Sequence, residues 1–492
     1  MSADLVFKLS CVASAVIKRL TTTYDCYAKL LKNHLHLLLL PLELLGEIAG
    51  HLPWLDLLHL RMTCKLLCDV SKLRSVRVSL VDRAIASDPY GTPLERPIGR
   101  YSGEDVEQGW VSSRRDDICA RKVLLGATWT KPLDATCLIT GGRWLLGVIR
   151  GGIITAMDLD DPNASHQVLV EPQDEFDMSP ALSLCFSIID GATTLTFDLA
   201  IMHYRPYALE DYPHSRLCVW RVVLSDDGTN LIAHHVKSIW TKHVVAIKER
   251  SFSFSGNRFA RRLTIPNIDV SSLEVFDWRQ STSYLHHTVT FRLQPPAPTP
   301  LFFQLISGNR ALVVSDECLW IYAIPELQAT TNLTVTNPSN ITAIHTIPLW
   351  GGGVKLGGLS RPCKELLQTV VVLFTSSGIY RLDIPDDVDS SPVPSIAKQF
   401  DPVMKFEPGC FGLNRGLLCM SRSLFMTVCY ENPSSPALHA QDGRAMTRQY
   451  TWPKGQRASR SYVMDEGSGR ILQPSGSGIV FIFDFSLYKH II

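Results

Sequence analysis

A multidomain α+β chain, in which a small module of three short helices precedes a large all-β domain, is the fold class that this sequence predicts. Three observations predict it. The length of 492 residues exceeds what one ordinary hydrophobic core organises. Between residues 38 and 78 the apolar residues recur at helical spacing. Beyond about residue 130 the pattern changes to short β-rich runs separated by Gly, Ser, Asn and Asp turns, and those runs repeat along the chain. With 46% apolar and 19% charged residues, the composition is that of a folded protein with a large interior, and not of a disordered tail or a coiled coil.

The expected organisation has four parts: an N-terminal extension over 1–37, the helical module over 38–78, a linker with connecting helices over 79–125, and the β domain over 126–492. In the module, Pro41 sits where the first turn of a helix accepts proline, and Leu44, Leu45, Ile48 and Leu52 fall on one face. Pro53 ends that helix. Asp56 is the expected N-cap of a second helix with apolar positions Leu57, Leu58, Leu60 and Cys64, and Leu66, Leu67, Val70 and Leu73 form a third series. A unit this small buries little surface alone, so association with a partner or with the rest of the chain is expected.

Those residues carry a resemblance. The run Leu40-Pro41-Leu42-Glu43-Leu44-Leu45, then Ile48, His51-Leu52-Pro53, Asp56-Leu57-Leu58, Leu60-Arg61 and Thr63-Cys64-Lys65 resembles the F-box, in the form common in basidiomycete fungi. The resemblance implies that Leu40 and Pro41 begin a surface that docks on a Skp-family adaptor. It further implies that Leu44, Ile48, Leu52, Leu57 and Leu60 fill that interface or hold its helices together. One departure is Arg77 after Ser75-Val76, where many members have tryptophan.

In the linker, Asp88-Pro89-Tyr90-Gly91 and the nearby Pro93, Pro97 and Gly99 break any long helix, and Cys119 to Leu125 is expected to form a short helix leading to Trp129. In the β domain, a small turn residue precedes an apolar run that ends near an acidic residue. The clearest copies end at Asp158, Asp277, Asp383 and Asp484; weaker ones end at Arg221-Val222, Ala323-Ile324 and Cys429-Tyr430. Seven units spaced by about 45 to 65 residues have the period of blade repeats. Gly141-Gly142-Arg143, Gly256-Asn257-Arg258, Gly308-Asn309-Arg310 and Gly467-Ser468-Gly469-Arg470 supply a hairpin upstream of several of them. The pattern resembles the WD-repeat propellers, without the Gly-His and Trp-Asp pairs of their strongest members. Seven blades is the expected count; six, eight, or a pair of β-sandwiches stay open at this stage. No leucine period of about twenty to thirty residues supports leucine-rich repeats.

Function classes narrow next. A formal net charge of +1 gives no general attraction to nucleic acid or to an anionic membrane. Thirteen scattered cysteines without a Cys-x-x-Cys pair indicate neither a disulfide framework nor a zinc site, which fits a reducing cytoplasm or nucleus. The apolar run Leu9 to Ile17 lies between Lys8 and the Lys18-Arg19 pair, and Asp4 with the short, weakly apolar run argues against a signal peptide; Leu35 to Leu60 contains Glu43, Glu47, His51, Pro53 and Asp56, too polar for a membrane span. His286-His287 and His34-x-His36 have no third ligand at a recognisable interval, so no metal and no cofactor is expected. No nucleophile elbow, P-loop or dinucleotide fingerprint occurs. The recurring aspartates read as strand-end turns, since a catalytic pair is placed once whereas a structural residue repeats with the fold.

The expected function is therefore non-catalytic: the module binds the adaptor of an SCF-type cullin–RING ubiquitin ligase, and the β domain holds a protein substrate. An F-box scaffold outside a degradation ligase and a propeller enzyme are the alternatives. Long polar insertions at Asp386 to Pro394, Thr330 to Asn340 and Gln294 to Pro300 are the candidate recognition loops.

Overall fold

The computed structural model describes residues 40–86, 119–124 and the greater part of 136–484; residues 1–39, 87–118, 125–135 and 485–492, with several loops between 149 and 478, lie outside the described residues. The extension over 1–37, the loop Gln294 to Pro300 and most of the other two insertions are therefore not placed. The chain divides into a unit of 1–116 with 487–491 and a unit of 117–486 with 492.

In the first unit four helices are described, α1 (Leu42–His51), α2 (Trp54–Arg61), α3 (Lys65–Ser71) and α4 (Arg74–Ala86). Three were expected. The fourth forms because Val76 and Leu80 complete the core of the first three, and it carries the module past residue 78. Two start sites also differ from expectation. Pro41 is the N-cap of α1 and not a first-turn residue, and its carbonyl accepts the first helical bond from Leu45 at 3.0 Å. Pro53 caps α2 in the same way, accepting from Leu57 at 2.9 Å, so Asp56 lies inside the first turn. Proline fixes φ near the helical value and lacks the N–H that would go unsatisfied there.

The second unit is almost entirely antiparallel β. Seven sheets are present among the described residues. Sheet 1 contains Thr136–Leu138, Trp144–Val148, Ile154–Asp158 and Gln167–Val170; sheet 2 contains Ala181–Ile188, Thr196–Tyr204, Ser215–Leu224 and Leu231–Thr241. Sheet 3 has Phe252–Ser255, Arg258–Thr264, Ser271–Asp277 and His286–Arg292, and sheet 4 has Phe302–Ile306, Arg310–Val314, Cys318–Ala323 and His345–Pro348. Sheet 5 is built on Gln368–Thr375, Gly378–Pro385 and Ser395–Phe400, with Leu356–Leu359 and Cys363–Glu365 both pairing to the first of these. Sheet 6 holds Glu407–Phe411, Arg415–Cys419, Leu424–Cys429 and Met446–Thr451. Sheet 7 holds Val463–Asp465, Arg470–Ser475 and Ile479–Asp484, and its fourth strand is Cys119–Leu124, from the other end of the unit.

That last pairing corrects the helix expected over Cys119 to Leu125. The segment runs antiparallel to Ile479–Asp484 in an unbroken register, from Cys119 opposite Asp484 to Leu124 opposite Ile479. Local propensity is a weak prior, and a strand partner supplied by the fold overrides it.

Alternation along the strands explains how the sheets stack. On sheet 2, Leu199 and Ile201 share a core with Leu146, Ile154 and Ala156 of sheet 1, while Ala200 and Met202 pack with Phe259, Phe276 and Trp278 of sheet 3. On sheet 4, Ala311, Val313, Trp320 and Tyr322 face sheet 3, whereas Leu312, Leu319 and Ile321 face Val371, Leu373 and Leu382 of sheet 5. Successive side chains of a strand point to opposite faces, so a sheet buried on both sides must be apolar at nearly every position. In Gln368–Thr375 the five consecutive residues Val370 to Phe374 are apolar and buried, and only the first residue of the strand falls short of full burial. Sheets 5, 6 and 7 touch in turn through their first strands, and sheet 7 touches sheet 1.

Arginines of the glycine hairpins tie neighbouring sheets at their turns. Arg143 of sheet 1 bonds Asp158 at 2.7 Å and the Gly228 carbonyl of sheet 2 at 2.9 Å. Buried Arg310 of sheet 4 donates to the Pro385 carbonyl of sheet 5 at 2.6 Å, and Arg470 of sheet 7 donates to the Gly142 carbonyl of sheet 1 at 2.6 Å and pairs with Asp160 at 3.0 Å. Among the described residues no helix is long and apolar enough to cross a membrane.

Candidate partner-binding surface

The helical unit separates the seven residues singled out for adaptor binding into two groups. Ile48, Leu52, Leu57 and Leu60 are buried, and all but Ile48 belong to one core cluster with Leu45, Ala49, Leu67, Val70, Val76 and Leu80. These hold the helices together. Leu40 is half-buried against that core, Leu44 is half-buried, and Pro41 is exposed. Three large apolar residues also reach solvent: Leu42 at 45%, Met62 at 76% and Leu66 at 40% exposure. Sequence reasoning missed Leu42 and Met62 as surface candidates and placed Leu66 in the apolar series of the third helix. The signal was available for Leu42, which falls off the face defined by residues 44, 45, 48 and 52.

Two glycines set the spacing beneath this surface. A Cβ on Gly46 would meet Leu73 Cδ1 at 3.3 Å, and one on Gly50 would meet Ser79 at 3.5 Å, so α1 lies close against the α3–α4 junction and the middle of α4. Arg83 of α4 then caps the C-terminus of α1, donating to the carbonyls of His51 at 2.8 Å and Leu52 at 2.9 Å. Burial of the guanidinium pushes its pKa down. Arg77, the departure from the F-box pattern, is buried in α4.

In the β unit the seven marked repeat ends fall one in each sheet, at the third strand of each sheet's path (counting sheet 7 from Val463–Asp465). Asp158 accepts from both Arg143 and the Asp160 amide, and Asp277 accepts from Asn257 at 2.6 Å and from the Arg279 and Gln280 amides at 3.0 Å. The carbonyls of Arg143, Asn257 and Asn309 accept from the amides of Leu159, Trp278 and Ile324, one bond repeated in three sheets. Asp383 pairs with Arg381 at 2.7 Å. These three carboxylates are each committed to their own turn or strand.

The insertion from Thr330 to Asn340 has ends that are already used. Gln328–Thr330 and Ser339–Asn340 add to the last strand of sheet 3, the first antiparallel to it and the second parallel. Of the histidine pair, His286 is buried beside the Phe276 ring at 6.2 Å, and the His287 amide donates to Ser281 Oγ at 2.9 Å. No group of three or more His, Cys, Asp or Glu side chains able to hold a metal ion occurs among the described residues.

Burial pushes the His286 imidazole below its usual range, and the Arg261 charge adds to this; the Glu274 carboxylate and a backbone hydrogen bond at Ser283 oppose it. A histidine that is harder to protonate when folded gives stability that is complete above its unfolded pKa of 6.5 and declines as pH falls below that value, until its own lower pKa is passed. His286→Leu is expected to flatten this acid limb by up to about 1.4 kcal/mol per pH unit. Urea midpoints measured between neutral and mildly acidic pH would show it; parallel curves for the two proteins would refute it.

No family model matches this chain, and no curated protein sequence is similar to it. Among solved structures, the chain is similar to the Cps50 (Swd1) β-propeller domain of Myceliophteria thermophila. The two are 11% identical with a TM-score of 0.43, over 74% of this chain and 99% of that one. It is also similar to the computationally designed protein Ika8, at 9% identity and a TM-score of 0.35, over 71% of this chain and 95% of that one.

Proposed function

We propose that the chain is a substrate-recognition subunit of an SCF-type cullin–RING ubiquitin ligase, working in the cytoplasm or nucleus. The helical unit is an F-box that docks on a Skp-family adaptor. The β unit is a seven-bladed propeller that holds a protein substrate, and the other subunits bring the ubiquitin-conjugating enzyme. The chain contributes proximity and performs no bond chemistry of its own.

One observation carries this reading: the stretch from Leu40 to Lys65 that resembles the F-box folds into a compact helical unit whose core uses Leu52, Leu57 and Leu60 while Pro41 and Leu42 face solvent. Apolar residues held outward on a rigid helix start are what a partner's pocket needs. The propeller reading is supported by the seven sheets, the shared core between each of the first five and its neighbour, and the N-terminal strand that completes the last sheet. Ring closure of this kind leaves only short sheet edges.

The test is capture of a purified Skp-family adaptor by the full chain. Leu42→Asp leaves the core untouched and is expected to weaken capture by at least about tenfold, as an apolar anchor does. Leu40→Ala with Pro41→Ala is expected to weaken it further. Undiminished capture by a Leu42→Asp protein of unchanged helical circular dichroism would refute the F-box reading, and capture of adaptor without any cullin from the native cells would refute the ligase.

A further inference from the structure

From the junction of sheets 2 and 3 we infer that the β unit carries a binding site for a carboxylate-rich, extended peptide. The inference rests on the reading of this unit as the half that holds a partner. Asp198, Arg221 and His234 stand side by side on three neighbouring strands of sheet 2. Asp198 is 2% exposed and is gripped by Arg221, whose Nε and Nη2 donate at 3.0 and 3.2 Å. Arg279, in the turn that follows Ser271–Asp277 of sheet 3, brings its Nη2 to 3.6 Å from the same carboxylate and lies over the Trp278 ring at 5.3 Å. Lys237 Nζ donates to the Arg279 carbonyl at 2.6 Å, which adds a third cation.

Two guanidinium groups thus share one carboxylate, with the Lys237 ammonium held beside them on the Arg279 carbonyl, and that carboxylate is inside while the two guanidiniums are not: the Arg221 and Arg279 side chains are 41% and 53% exposed. Asp277 spends its oxygens on Asn257 and two backbone amides, and Asp227 spends its own on Ser225 and Thr229 within its turn. Solvent therefore meets guanidinium edges fixed from behind by Asp198, a preorganised fork for a partner's carboxylate. The neighbouring strand Leu231–Thr241 contains no acidic residue, exposes His234, Ile232 and Val236, and is not paired along its other edge by any described strand. An extended acidic segment fits beside it. Nucleic acid is the poorer fit, because a single cluster on a chain of net charge +1 offers no long positive track.

The experiment is fluorescence anisotropy of the full chain, without adaptor, against labelled octaglutamate and octaglutamine peptides at low and moderate salt. Failure here and failure of adaptor capture are thereby read separately. Octaglutamate is expected to bind at least about tenfold tighter than octaglutamine, with an affinity that falls as salt rises. Arg279→Glu with Lys237→Glu, both away from the core, should remove that preference at an unchanged thermal midpoint. Arg221→Gln with Asp198→Asn, which deletes both halves of the ion pair, should weaken it without leaving a buried charge. Equal binding of the two peptides, full retention by the folded Arg279→Glu, Lys237→Glu protein, or an oligonucleotide of equal charge binding as tightly as octaglutamate would overturn the proposal.

Discussion

A fragment beginning at residue 125 is expected to be insoluble or molten, whereas one beginning at residue 117 unfolds in a single cooperative transition. The difference between them is Cys119–Leu124, the strand that pairs along the whole of Ile479–Asp484. Without it, sheet 7 keeps only Val463–Asp465, Arg470–Ser475 and Ile479–Asp484, and the N–H and C=O groups along one side of the last of these go unpaired. An open edge of six residues rich in Ile, Val and Phe is also a template for intermolecular pairing. Units that take their burial from neighbours do not lose one sheet in isolation, because sheet 7 also supplies Arg470 to the turns of sheet 1. Near-ultraviolet circular dichroism and a urea titration of both fragments would check this. Two equally soluble fragments with the same sharp transition would show that the first strand is dispensable and the ring reading wrong.

What the sequence revealed and what it concealed divide along the distance between interacting residues. Leu45, Ile48 and Leu52 repeat along α1 and its C-cap, and their burial follows from spacing alone. The turn aspartates were legible for a similar reason, since Arg143 and Asp158, or Asn257 and Asp277, lie in one hairpin and the pattern recurs. The strand Cys119–Leu124 was not legible, because its partner is at the opposite end of the β unit and nothing local distinguishes it from a short helix. The same holds for the recognition candidates. Arg279 looks like any surface cation until the fold places it over Asp198, and Thr330 looks like the start of a free loop until it pairs with His286. In the helical unit the resemblance left Ile48, Leu52, Leu57 and Leu60 either in an interface or between the helices, because burial inside a module and burial against a partner leave the same trace in a sequence; the fold buries all four within the unit.

Arg261→Met is expected to be among the most damaging single substitutions in the β unit, costing about 3–5 kcal/mol. Arg261 and Glu274 sit on adjacent strands of sheet 3 with side chains only 3% and 9% exposed, and Nε donates to Oε2 at 2.6 Å. Arg261 Nη1 also donates to Ser215 Oγ of sheet 2 at 3.1 Å, and the guanidinium lies over the Phe276 ring at 5.4 Å, so one side chain joins two sheets. Methionine fills much of the space but leaves the Glu274 carboxylate in a dry interior without its main counter-charge. The cost of an unpaired buried charge exceeds the net worth of the pair itself. Arg261→Met combined with Glu274→Leu should therefore recover most of the loss, since the double substitution removes both charges and keeps the apolar volume. Urea denaturation of the wild type, the single and the double variant measures this directly. A double variant no more stable than Arg261→Met alone would mean that the damage comes from lost packing and from the broken contact to sheet 2, and not from a stranded charge.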